Sequence, residues 1–155
     1  MIRLYRKNGS NVDLCRRKVI EDGLNFVVPD SNGAELVREI KPMNSPRLNG
    51  DLLLSGRFQS LGDYDWVMYT PRWGAFYQTQ LEEFLVERGI YTLIFTGCNF
   101  PNCPRTSMYE ASERDFKVVM TADTISGVYD QGIWELRNIG ITVLNSDDII
   151  RYLDY

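Results

Sequence analysis

The sequence predicts an α/β fold, a parallel sheet with helices on both faces and three layers in all. Two observations carry this. From about Asp65 onward, short apolar runs rich in β-branched and aromatic residues alternate with amphipathic stretches of helical period, the pattern of successive βαβ units. The runs are nearly continuous in apolar residues, as strands covered on both sides must be. The composition leaves room for such a fold. A chain of 155 residues, 44% of them hydrophobic, buries roughly 70% of the surface its unfolded form exposes, without disulfide or metal staples. One domain over 1–155 is expected, because no repeat, low-complexity tract or linker divides it.

Taken in order, Ile2 to Tyr5 reads as a short strand. The rest of the first sixty residues scatters Gly, Asn, Pro, Ser and charge among short apolar pieces such as Phe26 to Val28 and Leu52 to Leu54, and reads as loops with short elements. Four strands then follow: Asp65 to Tyr69, Tyr91 to Thr96, Lys117 to Thr121 and Ile141 to Leu144. Between the first two, Thr79-Gln80-Leu81-Glu82 is a capping box that starts a helix, with Leu81, Phe84 and Leu85 as its apolar stripe and Gly89 placed to end it. A second helix runs from Pro104 to about Arg114, with the proline in the first turn, where its missing N–H would have no partner. A third covers Gln131 to Asn138 with Ile133 and Leu136 inward. The last begins after Ser146, whose hydroxyl can cap it, and carries Ile149, Ile150 and Leu153.

The chain has no histidine and a formal charge of −4. Ser-His-Asp triads, Cys-His pairs, histidine zinc sites and histidine proton shuttles are therefore excluded. The negative balance argues against nucleic acid or an anionic membrane as the main partner. Cys15, Cys98 and Cys103 form no CxxC pair and no disulfide framework, and no apolar run reaches the length of a membrane span or forms a signal-peptide core. A cytoplasmic protein with no metal and no organic cofactor is expected.

In an open parallel sheet, ligands bind beyond the carboxyl ends of the strands. One such junction stands out: after the strand Tyr91 to Thr96 comes Gly97-Cys98-Asn99-Phe100-Pro101-Asn102-Cys103-Pro104, and then a helix. Cys103 falls at the helix N-terminus, where unpaired N–H groups and the helix dipole favour a thiolate and can hold an oxyanion. A cysteine is otherwise a small buried hydrophobe. Position favours the nucleophile at 103 and the buried hydrophobe at Cys98 and Cys15. A redox pair of Cys98 with Cys103 is a third, weaker reading.

The segment TLIFTGCNFPNCPRTSMYEASERDF, Thr92 to Phe116, resembles the strand, glycine turn, nucleophilic cysteine and helix of the isochorismatase-like cysteine hydrolases. Asp65 to Leu85, with PRWGAFYQTQLEEFL, and VVPDSNGAEL, Val27 to Leu36, are also similar to that family. The resemblance implies an isochorismatase-like fold and cleavage of a C–N bond in a small amide or related compound, with Cys103 as nucleophile. It also implies a cis peptide at Cys98-Asn99, an oxyanion hole of the Asn99 and Cys103 amides, and a small-molecule pocket lined by Trp73, Phe76 and Phe100. Members use an Asp-Lys-Cys triad. In this sequence Thr70 stands where the lysine belongs, and the similarity begins at the family's second strand, so an N-terminally shortened fold without the strand that carries the aspartate is expected. Arg72 is the nearest substitute for the positive charge, although its fork differs from an ammonium, and a surface role fits it as well. Asp123 is a candidate base or a turn cap. Strand edges left open by the shortening favour a homo-oligomer. The alternative to an enzyme is a non-catalytic relative that binds a ligand or another subunit.

Overall fold

The computed structural model describes residues 1–153. The elements run α1 (Leu14–Glu21), a 3-10 turn (Asn32–Ala34), α2 (Gly50–Leu54), β1 (Gln59–Ser60), β2 (Trp66–Val67), α3 (Leu81–Val86), β3 (Thr92–Gly97), α4 (Cys103–Ser112), β4 (Lys117–Ile125), α5 (Asp130–Asn138), β5 (Thr142–Leu144) and α6 (Ser146–Leu153). The chain forms two compact units: one comprises Met1–Arg72 with Gln78–Gln80, the other Trp73–Tyr77 with the chain from Leu81 onward.

The second unit is an α/β layer structure with a parallel sheet in the order β3-β4-β5. Its register pairs Thr92 with Lys117 through Phe95 with Met120, and Val119 with Thr142 through Thr121 with Leu144. Helices flank it: α4 packs on β3 and β4, α5 on β5, and α6 on β4. Phe100, Met108, Ala111, Met120 and Leu136 are fully buried in its core, and Leu81 and Phe84 of α3 pack against that core beside buried Leu85. Helix α3 ends where Gly89 adopts φ +66° and Ile90 N–H donates to Leu85 C=O at 3.0 Å, a turn that a residue with a Cβ adopts only under strain. On α6 Ile149 is buried, while Ile150 and Leu153 are exposed.

The ring of Phe100 decides the packing of α5. A Cβ on Gly132 would lie 2.4 Å from Phe100 Cε1, so glycine is the residue that lets the ring lie against the helix. The ring meets Tyr129 edge-on at 5.3 Å between centroids.

The first unit departs from the expected run of strands. Asp65 to Tyr69 does not form one parallel strand. The turn over Leu61 to Asp65, closed by Leu61 N–H on Asp65 C=O at 2.8 Å, folds Trp66–Val67 back antiparallel onto Gln59–Ser60. Tyr69 makes a single parallel bridge with Ile2, and that bridge is all that remains of the strand expected over Ile2 to Tyr5. Helices α1 and α2 lie in the region read as loops; Asn49 caps α2 by accepting from Leu52 N–H at 2.9 Å.

Asp13 organises this unit's N-terminal part. Its side chain is buried and accepts hydrogen bonds from Tyr5 Oη at 2.8 Å and Cys15 Sγ at 2.8 Å, with Arg3 at 3.3 Å and Arg16 at 3.2 Å. Burial raises the Asp13 carboxyl, but the bonds from Cys15 and Tyr5 and the charges of Arg16 and Arg3 outweigh it and hold the group below the usual carboxylate range. Burial first, and then the bond to Asp13, push the Tyr5 phenol up to about 12.

Two predictions follow from these contacts. The folded state favours ionised Asp13, so its stabilisation is complete above about pH 4 and drains away as pH falls through the lower folded value. Asp13→Asn should flatten the acid limb of urea midpoints plotted against pH, and limbs that run parallel in the two proteins refute this. In the second unit, Phe100→Ala should cost about 3–5 kcal/mol. For Gly132→Ala, a helix-propensity gain of about 1 kcal/mol opposes an overpacking loss of about 1–3 kcal/mol, and the 2.4 Å approach lets the loss prevail. With Phe100→Ala in the background the alanine at 132 should cost less, a coupling that a double-mutant cycle by thermal unfolding measures.

Candidate active site

The turn from β3 into α4 is built from backbone bonds around Phe100. Gly97 closes the strand at φ +125°, a conformation reserved for a residue without a Cβ. The Cys98-Asn99 peptide bond is cis. Phe100 N–H donates to Ser126 C=O at 2.7 Å, Ser126 N–H donates to Gly97 C=O at 3.2 Å, and Arg105 N–H donates to Phe100 C=O at 3.2 Å. Asn102 lies across the same turn: its N–H donates to Asn99 C=O at 3.1 Å and its Nδ2 to Asn99 Oδ1 at 2.8 Å. Gly127 of the facing loop has Pro101 and Asn99 beside it.

Cys103 is the first helical residue after this turn, with Pro104 buried behind it in the same first turn. Its thiol is free and partly exposed, the access a nucleophile needs. A neutral helix N-terminus stabilises an anion there through the aligned N–H groups. Asn99, the other half of the expected oxyanion hole, is exposed in the same turn.

The remaining expected site residues divide. Phe76 and Phe100 are sealed in the core, Phe76 tilted against Phe116 at 5.7 Å, so these two rings pack the fold and do not line an open pocket; Trp73 alone of the three aromatics is partly exposed. Their hydrophobicity explains the outcome, because a ring removed from water on all sides stabilises the core more than one left at a pocket wall. Cys98 and Cys15 are exposed, correcting the reading of both as small buried hydrophobes. Cys98 lies in a turn whose interior is taken by Phe100. Cys15 sits on the outer face of α1, bonded to Asp13.

Asp123 acts as a cap. Its carboxylate accepts from Ser146 Oγ at 2.6 Å and Ser146 N–H at 2.9 Å, and these bonds, the hydroxyl's first, hold it below the usual carboxylate range. A carboxylate made less basic in this way is a poor proton acceptor. The expected cap of α6 is reversed: Ser146 donates and Asp123, an anion at a helix N-terminus, accepts. In the first unit Thr70 is 1% exposed, with its N–H on Ile2 C=O at 3.0 Å. Arg72 turns its guanidinium to Pro71 C=O at 2.7 Å.

Three residues escaped the sequence reading. Arg105 pairs with Glu135 of α5 and with Tyr129 just before that helix, and reaches Tyr109 at 3.5 Å, tying the start of α4 to α5. Ser107 and Glu110 accept backbone N–H groups from the segment Trp73–Tyr77. Their spacing from Cys103, four and seven residues, would have placed all three on one helix face. Among the described residues no group of three or more Asp, Glu or Cys side chains is arranged to hold a metal ion, and no helix is long and apolar enough to cross a membrane.

The chain resembles known proteins along its whole length. It is 26% identical over 147 residues to a probable inactive nicotinamidase of Arabidopsis thaliana, covering 91% of this chain and 66% of that protein. It is 31% identical over 96 residues to the N-carbamoylsarcosine amidase of an Arthrobacter species, covering 59% of this chain and 36% of that one. The chain thus spans less than two thirds of the length of either relative. The structure superposes on an isochorismatase family protein from Desulfovibrio vulgaris with a TM-score of 0.77 at 25% identity, over 99% of this chain and 73% of that one. The family model of the Isochorismatase domain matches residues 57–148, which takes in β1 through β5 and the whole turn that leads to Cys103. With more than half of its residues matched, and with the parallel sheet and helices that the fold requires, the chain belongs to the isochorismatase family.

Proposed function

We propose that the protein is a cysteine hydrolase that cleaves the C–N bond of a small amide or related compound through Cys103. The observation that carries this reading is the partly exposed free thiol at the first residue of α4, directly after the turn that leads out of β3. In the proposed reaction the Cys103 sulfur bonds to the carbonyl carbon, and the carbonyl electrons move onto oxygen, facing the Asn99 and Cys103 amides. Collapse of that oxyanion breaks the C–N bond, and the nitrogen leaves with a proton as ammonia or an amine. Water then adds to the thioester, releasing the acid and restoring the thiol. Thr70 supplies no ammonium where the family has lysine, so turnover is reduced relative to members with the complete triad.

A second reading, a non-catalytic relative that binds a ligand or a second copy of itself, has two supports. The Arabidopsis relative is described as probably inactive. In addition, among the described residues β3 pairs with β4 alone, and its sequence Thr92–Gly97 contains no charge or proline to blunt an open edge, with Ile94 44% exposed.

The two readings are separated by measurement. Release of ammonia or amine from nicotinamide and from N-carbamoylsarcosine, the compounds named for the relatives, should fall by at least about 10³-fold in Cys103→Ser. Cys15→Ser should keep the parent rate. Equal rates in the parent and Cys103→Ser exclude the hydrolase. For the second reading, light scattering at micromolar concentration should show a dimer that Ile94→Lys dissociates, and a parent that is monomeric removes the self-association.

A further inference from the structure

Helix α4 and the turn after it carry residues at the spacing i, i+4, i+7, i+11: Cys103, Ser107 and Glu110 on one face of the helix and Arg114 just past its end. The last three all engage one segment. Ser107 Oγ, fully buried, accepts from Ala75 N–H at 3.0 Å. Glu110 Oε2 accepts from Phe76 N–H at 2.8 Å. The Arg114 guanidinium lies 4.9 Å from the centroid of the Phe76 ring and bonds Glu82 Oε2 at 3.0 Å. Ala75 thus meets the Ser107 turn, the one next to Cys103, while Phe76 and Gly74 on either side of it meet Glu110. Ser107 lies about 6 Å along the axis from Cys103.

The fit leaves no slack. A Cβ on Gly74 would lie 2.2 Å from the Glu110 carboxyl atoms, so the carboxylate occupies the space that a side chain would take. Trp73, the next residue, is partly exposed. Backbone amides bound to two side chains of a rigid helix are far more restrained than a surface loop, and a restrained segment one turn from a reacting sulfur limits what can approach it.

We propose that Ser107 and Glu110 are positioning residues for the Cys103 site, holding the Trp73–Phe76 segment as a wall that selects small, compact substrates by size. The inference rests on the reading of Cys103 as the reacting group. Neither residue exchanges a proton or touches the reacting atoms; they act through the segment.

The test measures access to the sulfur without requiring turnover. Alkylation by iodoacetamide and by the bulkier N-phenylmaleimide is followed at each cysteine by peptide mass spectrometry, with exposed Cys15 of the first unit as the reference in the same molecule. In the parent, Cys103 should discriminate against the bulky reagent relative to Cys15. Glu110→Ala and Ser107→Ala should each reduce that discrimination by about threefold or more, an effect of the size expected when a steric wall loosens. Glu110→Gln, which keeps an acceptor oxygen for Phe76 N–H, should restore it. Gly74→Ala, which leaves α4 untouched and displaces the Glu110 carboxylate, should reproduce the alanine effect and decides the matter if Glu110→Ala does not fold. Parental discrimination in the folded alanine variants overturns the proposal, as does a Glu110→Gln variant no better than alanine. A hydrolase reading lost to the Cys103→Ser comparison would leave these alkylation ratios unaffected, so the two failures are distinguishable.

Discussion

The position of Cys103 depends on the burial of one ring. Phe100 lies three residues before the cysteine, and its side chain is removed from solvent between Tyr129 and the bare backbone of Gly132. Its own N–H and C=O are bonded to Ser126 and Arg105. Burying a phenylalanine is worth about 1.5–3 kcal/mol, enough to fix the turn between β3 and α4, which has no regular structure of its own. With the turn pinned at its middle, α4 begins at Cys103 and no earlier, and the sulfur emerges at the N-terminal end of the helix. Arg105 strengthens the same anchor from the other side by pairing with Glu135 on α5.

Four carboxylates of the chain are spent on architecture. Asp13 gathers Tyr5, Cys15, Arg3 and Arg16 in the first unit. Asp123 caps α6, Glu135 holds Arg105, and Glu110 holds the Phe76 amide. Asp13 and Asp123 are kept ionised by their partners, which makes them weak proton acceptors. This bears on the chemistry, because the triad that the family resemblance implies needs a carboxylate with basicity to spare and an ammonium. At the lysine's position the chain has the buried hydroxyl of Thr70. A thiol at the start of α4, with a hydroxyl at the lysine's position, is the situation in which reduced turnover and loss of turnover predict different mutant behaviour.

Much of the second unit was legible in the chain. The apolar runs at Thr92, Lys117 and Thr142, the glycine at 89 and the proline at 104 report local preferences that act within a few residues, and the elements formed where those preferences placed them. The first unit was less legible. Helix α1, LCRRKVIE, carries little apolar surface and buries only Ile20, so its periodicity is faint. The strand expected over Asp65 to Tyr69 is divided between two partners: Trp66 and Val67 pair antiparallel with Gln59–Ser60, and Tyr69 bridges in parallel to Ile2.

By itself the sequence determined the α/β class, the exclusion of histidine chemistry and the placement of Cys103 at a strand-to-helix junction, since each follows from residue identity or from periodicity along a single element. Tertiary structure alone decided that Phe76 and Phe100 belong to the core, that Asp123 serves α6, and that Ser107 and Glu110 grip the segment ahead of α3. Those outcomes depend on which groups meet across 23 to 34 positions of chain. A hydrogen bond or a ring contact between distant residues leaves no local trace, because its partner is chosen by packing.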